Sequence, residues 1–122
     1  MGKVLIVEDD PLLTKVYSTR LKADGHQVLT ASDGEKGLAL AKKELPQVIL
    51  LDIMMPKVSG LEVLGSLKKT PQTAEIPVLV YSNLGKEEKI AEAKKLGAAE
   101  FITKADFTPQ QVVGKIEEYL KG

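Results

Sequence analysis

Four apolar residues, Val48-Ile49-Leu50-Leu51, run without a break into one carboxylate, Asp52. A short run of this kind is what a strand buried on both faces requires. A carboxylate at the carboxyl end of such a strand sits where open parallel sheets place their chemistry. Two further acids, Glu8 and Asp9, follow the apolar run Lys3–Val7. Ser82 follows Pro77–Tyr81, and Lys104 follows Ala99–Thr103. Three acids, a hydroxyl and an ammonium thus close four different predicted strands, a set suited to phosphoryl chemistry. Asp52 is the expected nucleophile, since a carboxylate can attack phosphorus to form an acyl phosphate. Two like charges about 4 Å apart repel by roughly 4 kcal/mol at an effective dielectric near 20, so converging acids need a counter-charge. Mg2+ is the expected one, because it takes oxygen ligands and keeps several waters. Lys104 is a weaker, additional one.

The elements that must position these groups are legible in order. Lys3–Val7 is the first strand. Asp10-Pro11 starts a helix, with Asp as cap and Pro at the first helical position. Leu13, Val16, Tyr17 and Leu21 give its buried stripe, and Gly25 closes it in the left-handed conformation. His26–Ala31 is the second strand. Ser32 and Glu35 have capping-box spacing, Leu38, Ala41 and Leu45 form the stripe of the second helix, and Pro46 ends it. Val48–Asp52 is the third strand. Ser59 and Glu62 are spaced as a second capping box before Leu61, Leu64 and Leu67. Pro77–Tyr81 is the fourth strand. Ile90, Ala93 and Leu96 with Gly97 mark the fourth helix, and Ala99–Thr103 the fifth strand. Thr108-Pro109-Gln110-Gln111 opens the fifth helix, which carries Val112, Ile116 and Leu120.

Strand–helix alternation repeated five times implies a parallel sheet covered on both faces. The expected fold is α/β, a (βα)5 doubly wound, flavodoxin-like five-stranded parallel sheet in the order 2-1-3-4-5. Residues 1–122 are expected to be one domain, with no composition break. In that order strands 1 and 3 are neighbours, which brings Glu8 and Asp9 beside Asp52, while Ser82 and Lys104 line the same rim.

Composition narrows the function. Lysine plus arginine and aspartate plus glutamate each number 17, so no net field favours nucleic acid. Aromatics are 4% with no tryptophan, a poor base-stacking platform. There is no cysteine, hence no disulfide framework or thiolate chemistry. No apolar run approaches a membrane span or a signal peptide, so a soluble, cytoplasmic protein is expected. His26 reads as a solvated strand start. Lys42-Lys43, Lys68-Lys69 and Lys94-Lys95 read as helix surface and complements to helix C-terminal dipoles. Met54 and Met55 read as loop and core packing.

Val7-Glu8-Asp9-Asp10-Pro11, Leu51-Asp52-Ile53-Met54-Met55-Pro56, Gly60, Ser82 and Lys104 together resemble the receiver domain of two-component response regulators, of the single-domain chemotaxis type. The resemblance covers essentially the whole chain. It implies a phosphorylation-dependent switch, with Asp52 taking a phosphoryl group from a histidine kinase or histidine phosphotransfer protein. Such a domain catalyses only its own phosphorylation and dephosphorylation. Asp9, Asp52 and the Met54 carbonyl would bind Mg2+, with Glu8 acting largely through water. Ser82 and Lys104 would contact the phosphoryl group. Ser82 and Phe101 would be the switch pair, and the helix 4–strand 5–helix 5 face would bind a downstream protein. Neither direct nucleic-acid binding nor membrane contact is expected.

Several positions depart from the family pattern. Ala105 follows Lys104 where proline is usual. A cis bond without proline costs about 2.5–4 kcal/mol, so a trans bond and a shifted loop become possible. Phe101 replaces the commoner tyrosine, and Asn83 stands where a small residue is frequent. Met54 and Leu84 occupy the two positions that flank the phosphoryl group in the family; both are apolar here and cannot orient a water, so slow self-dephosphorylation is expected. Other functions fit less well. A flavin phosphate would be repelled by Glu8-Asp9-Asp10. An aspartyl-phosphate phosphatase would need an acid where Met54 stands. A receiver that has lost phosphorylation would not need the intact acidic set, although Ala105 keeps that reading open.

Overall fold

Strands β1 (Lys3–Val7), β2 (Gln27–Ala31), β3 (Val48–Asp52), β4 (Val78–Ser82) and β5 (Glu100–Thr103) form one sheet in the order β2-β1-β3-β4-β5. All the strand pairs are parallel. The computed structural model describes residues 2–53, 59–82 and 87–120. The central strands β3 and β4 are buried along their whole length, as their unbroken apolar runs require. Helices α1 (Pro11–Ala23) and α5 (Pro109–Glu118) cover one face, and α2 (Gly34–Glu44), α3 (Gly60–Lys69) and α4 (Glu87–Lys95) cover the other. Among the described residues no helix is long and apolar enough to cross a membrane.

Side-chain alternation along each strand splits the core in two. Val4, Ile6, Val48, Leu50, Leu79, Tyr81 and Ile102 pack with Tyr17, Leu21, Val112 and Ile116 of α1 and α5. Leu5, Val7, Ile49, Leu51, Val78 and Val80 pack with Ala41, Leu61, Leu64, Leu67 and Ala93 of α2, α3 and α4.

The caps follow the sequence closely, with two shifts. Asp10 accepts from the Leu12 and Leu13 amides, and Pro11 opens α1. Thr108 and Gln111 form a reciprocal capping box on α5. Gly25 (φ 90°) and Gly97 (φ 103°) adopt the left-handed backbone expected of helix closers. For α2, however, the cap is Asp33 and not Ser32: its carboxylate accepts from the Lys36 amide at 2.9 Å. Leu45 does not join the buried stripe of α2. It is the left-handed C-cap (φ 46°) and is exposed, because Pro46 disfavours helical backbone in the residue before it.

Two surface assignments are corrected. His26 is not a solvated strand start. Its Nδ1 accepts from the Gly2 amide, its Nε2 lies 3.1 Å from Glu117 of α5, and its side chain is largely buried. Lys68 is more than helix surface, since its ammonium donates to the Ala74 and Ile76 carbonyls at 3.1 and 2.8 Å and so ties the α3–β4 connection.

Gly60 fixes how α3 meets the sheet. A Cβ there would overlap the Asp52 carbonyl oxygen and the Ile53 Cα, both backbone atoms that cannot swing aside. Substituting Gly60→Ala is therefore expected to lower unfolding free energy by about 1–3 kcal/mol or more. Urea denaturation followed by circular dichroism measures this. Gly114, where a Cβ would meet nothing within 4 Å, is the control.

Candidate functional site

Parallel pairing of β1 with β3 sets Val7 against Leu51 and so carries Glu8 to the side of Asp52. Both carboxylates are buried, at 2% exposure each, while Asp9 faces solvent. One carboxylate oxygen from each of Glu8, Asp9 and Asp52 lies within 4.8 Å of the others. The acids expected to converge do so.

The counter-charge within the chain is Lys104. Its ammonium donates to Glu8 Oε1 at 3.0 Å and to Asp52 Oδ2 at 3.2 Å. The ammonium is itself mostly buried. Burial works against its charge, but the Glu8 and Asp52 carboxylates outweigh it and raise the Lys104 pKa. The Lys104–Ala105 bond is trans, there being no cis peptide among the described residues, and Lys104–Asp106 form a 3-10 turn. The lysine reaches the acids from that turn, so proline is not needed to aim it.

A further group was not anticipated. Tyr81 in β4 is fully buried, and its phenol donates a hydrogen bond to Glu8 Oε1. The Lys104 ammonium also sits 4.4 Å from the centre of the Tyr81 ring, within cation–π range. The Tyr17 ring packs edge-on against it at 6.0 Å. Burial first, and then the Glu8 carboxylate, push the phenol pKa far up, so Tyr81 stays a donor. A sequence signal did exist. Asp52 pairs with Tyr81 in the β3–β4 register, and paired residues of a parallel sheet project to the same face. A buried tyrosine hydroxyl also needs a partner.

Glu8 is therefore held from several sides. Oε2 accepts from the Asp10 amide at 3.2 Å, and Oε1 takes both Tyr81 and Lys104. Burial alone would raise its pKa. Hydrogen bonding with Asp52, Tyr81 and Lys104 overrides that and lowers it to about 2. Asp9 moves the other way. Partial desolvation, with Glu8 beside it, raises its pKa.

Ser82 closes β4 and is fully buried, paired in register with Thr103. Phe101 is half-buried and packs on the α2–α4 side of the sheet. Met54, Asn83 and Leu84, expected at the metal carbonyl, the loop after Ser82 and the phosphoryl flanks, lie outside the described residues.

Comparison with known proteins agrees with this geometry. The response regulator receiver domain family matches residues 4–117. Protein PilH of Pseudomonas aeruginosa is 38% identical over 104 residues, 85% of this chain and 86% of PilH. The chemotaxis protein CheY4 of Vibrio cholerae superposes with a TM-score of 0.89 at 32% identity, covering 98% of this chain and 99% of that one. The Mn2+-bound response regulator Rcp1 superposes with a TM-score of 0.85 at 26% identity over the whole of both chains. The chain spans about half the length of other curated relatives it matches, transcriptional regulators among them. The chain belongs to the response regulator receiver domain family, whose members are phosphorylation-dependent switches of two-component signalling.

The depressed Glu8 pKa has a signed consequence. A carboxylate with a folded pKa near 2 and an ordinary value of 4.5 contributes stability in full above about pH 4.5. That contribution is lost as pH falls toward 2. Glu8→Gln should cost about 1–3 kcal/mol at pH 7 and flatten the stability profile between pH 4.5 and 2. Urea unfolding at a series of pH values checks both effects.

Proposed function

We propose that Asp52 accepts a phosphoryl group from a phosphohistidine on a histidine kinase or histidine phosphotransfer protein, in the cytoplasm. The observation that carries this reading is the meeting of Glu8, Asp9 and Asp52, with the Lys104 ammonium bridging Glu8 and Asp52. The donor set is all oxygen and anionic, which suits a hard divalent cation. Mn2+ on the similar protein Rcp1 supports that choice. Asp9, Asp52 and the Met54 carbonyl would hold Mg2+, with Glu8 acting mainly through water. When bound, the ion offsets the negative charge of the incoming phosphoryl group.

The chain's own residues supply the rest. The Asp52 carboxylate is the nucleophile, and burial keeps water from competing with it. The Lys104 ammonium turns toward a phosphoryl oxygen as a point charge. The Ser82 hydroxyl donates to another. These contacts bias a two-state element. Ser82 and Phe101 carry the change to the α4–β5–α5 face, where a downstream protein docks. Phe101 lacks a phenol, so its contribution to that face is apolar. The histidine donor comes from the partner, since His26 is engaged with Glu117 and the Gly2 amide. The domain acts on itself alone, without turnover of a separate substrate.

Incubation with acetyl phosphate and Mg2+ should add one phosphoryl group by intact mass, and Asp52→Ala should abolish the gain. Absence of the adduct in the wild type overturns the assignment. Mg2+ at ten times its dissociation constant should stabilise the wild type by about 1.4 kcal/mol, with little effect on Asp9→Ala, read as thermal shifts. Met54 and Leu84 are apolar at the sequence positions that flank the phosphoryl group in the family, so the phosphoaspartate should outlast seconds in Mg2+. A decay series by mass spectrometry measures this.

A further inference from the structure

Tyr81 belongs to none of the roles above, yet it meets two of the groups that carry them. Its phenol and the Lys104 ammonium donate to the same atom, Glu8 Oε1. Its ring also lies against that ammonium. One buried carboxylate oxygen thus has two donors, one fixed on a central strand and one on a flexible side chain.

We propose that Tyr81 is a positioning residue that frees Lys104 to leave Glu8 for the phosphoryl group. Among the described residues Lys104 bonds to Glu8 and to Asp52. On this reading the ammonium gives up Glu8 Oε1 as it follows the charge outward to a phosphoryl oxygen on Asp52. Stripping a donor from a buried carboxylate oxygen is costly when no second donor remains. The phenol is that second donor, and its place is set by the Asp52–Tyr81 register and by the Tyr17 ring packed against it. Glu8 Oε2 stays on the Asp10 amide throughout, so the carboxylate need not rotate. The ring gives the departing ammonium a surface to slide across, with its stem still buried.

The inference rests on the phosphoacceptor reading of Asp52, and the test separates the two. Beryllofluoride, a stable phosphoryl mimic, is titrated at saturating Mg2+ against wild type, Tyr81→Phe, Lys104→Met and the double variant. Binding is followed by calorimetry, and Mg2+ affinity is measured alone in each. Tyr81→Phe keeps the ring and removes only the hydroxyl, so it preserves packing, which circular dichroism verifies. Beryllofluoride affinity should fall about tenfold in Tyr81→Phe, with Mg2+ affinity changed by no more than about twofold. In the Lys104→Met background the same substitution should have little further effect, because no ammonium has to leave.

Equal weakening of Mg2+ and beryllofluoride in Tyr81→Phe would mark the phenol as merely structural and overturn the inference. Unchanged or tighter beryllofluoride binding overturns it as well, as does an undiminished effect in the Lys104→Met background. A wild type that fails to bind beryllofluoride with Mg2+ overturns the phosphoacceptor reading and this inference with it. A wild type that binds while Tyr81→Phe matches it leaves that reading standing and removes only the role of Tyr81.

Discussion

The structure turns on a crowding of negative charge that the fold creates and must then tolerate. Parallel pairing of β1 with β3 forces Glu8 and Asp52 together, both almost wholly out of water. Isolated buried carboxylates are unfavourable, so each must be paired and hydrogen-bonded. Lys104 bridges the two, Tyr81 shares Glu8 Oε1 with it, and the Asp10 amide donates to Glu8 Oε2. Neighbouring features can be read as supports for that bridge. The trans 3-10 turn aims the lysine, Pro11 and the Asp10 cap fix the loop after β1, and Gly60 lets α3 sit directly on the Asp52 backbone.

Strand alternation sorts the rim into two sets. Tyr81 belongs to the apolar layer under α1 and α5. Asp52 shares the parity of Val48 and Leu50 in that layer, and Glu8 and Lys104 extend the parity of Ile6 and Ile102. Ser82 shares the parity of Val78 and Val80 in the opposite layer, against which Phe101 packs. The charged network therefore stands over one helical pair. The two residues proposed for switching stand over the other three helices. The end of β4 addresses both, through Tyr81 on one side and Ser82 on the other.

Much of this was readable from residue types. The unbroken run before Asp52, the Asp10-Pro11 start and the Thr108–Gln111 box each express a strong local rule, and the strand order follows from the repeated βα pattern. What escaped depended on distant partners. Asp33 outcompeted Ser32 as a cap because both types cap well and only the backbone decides between them. His26 looked solvated because Gly2 and Glu117, which hold it, are 24 and 91 residues away in sequence. Tyr81 looked like one more apolar strand residue because its hydroxyl finds a partner 73 residues away. Residues that terminate strands point to the acids, the serine and the lysine but not to Tyr81. The register one step back from the rim would have placed this tyrosine beside Asp52.

The sheet also acts as a partition. Its two apolar layers are built from alternate residues of the same strands and, among the described residues, share no side chain. Drift among the α2–α4 contacts can thus proceed without disturbing the packing of α1 and α5, and the reverse. A lineage could exchange the recognition surface on one side for another while inheriting the acidic rim intact. Specificity for new companions would then evolve on either flank separately, with the chemistry held constant between them.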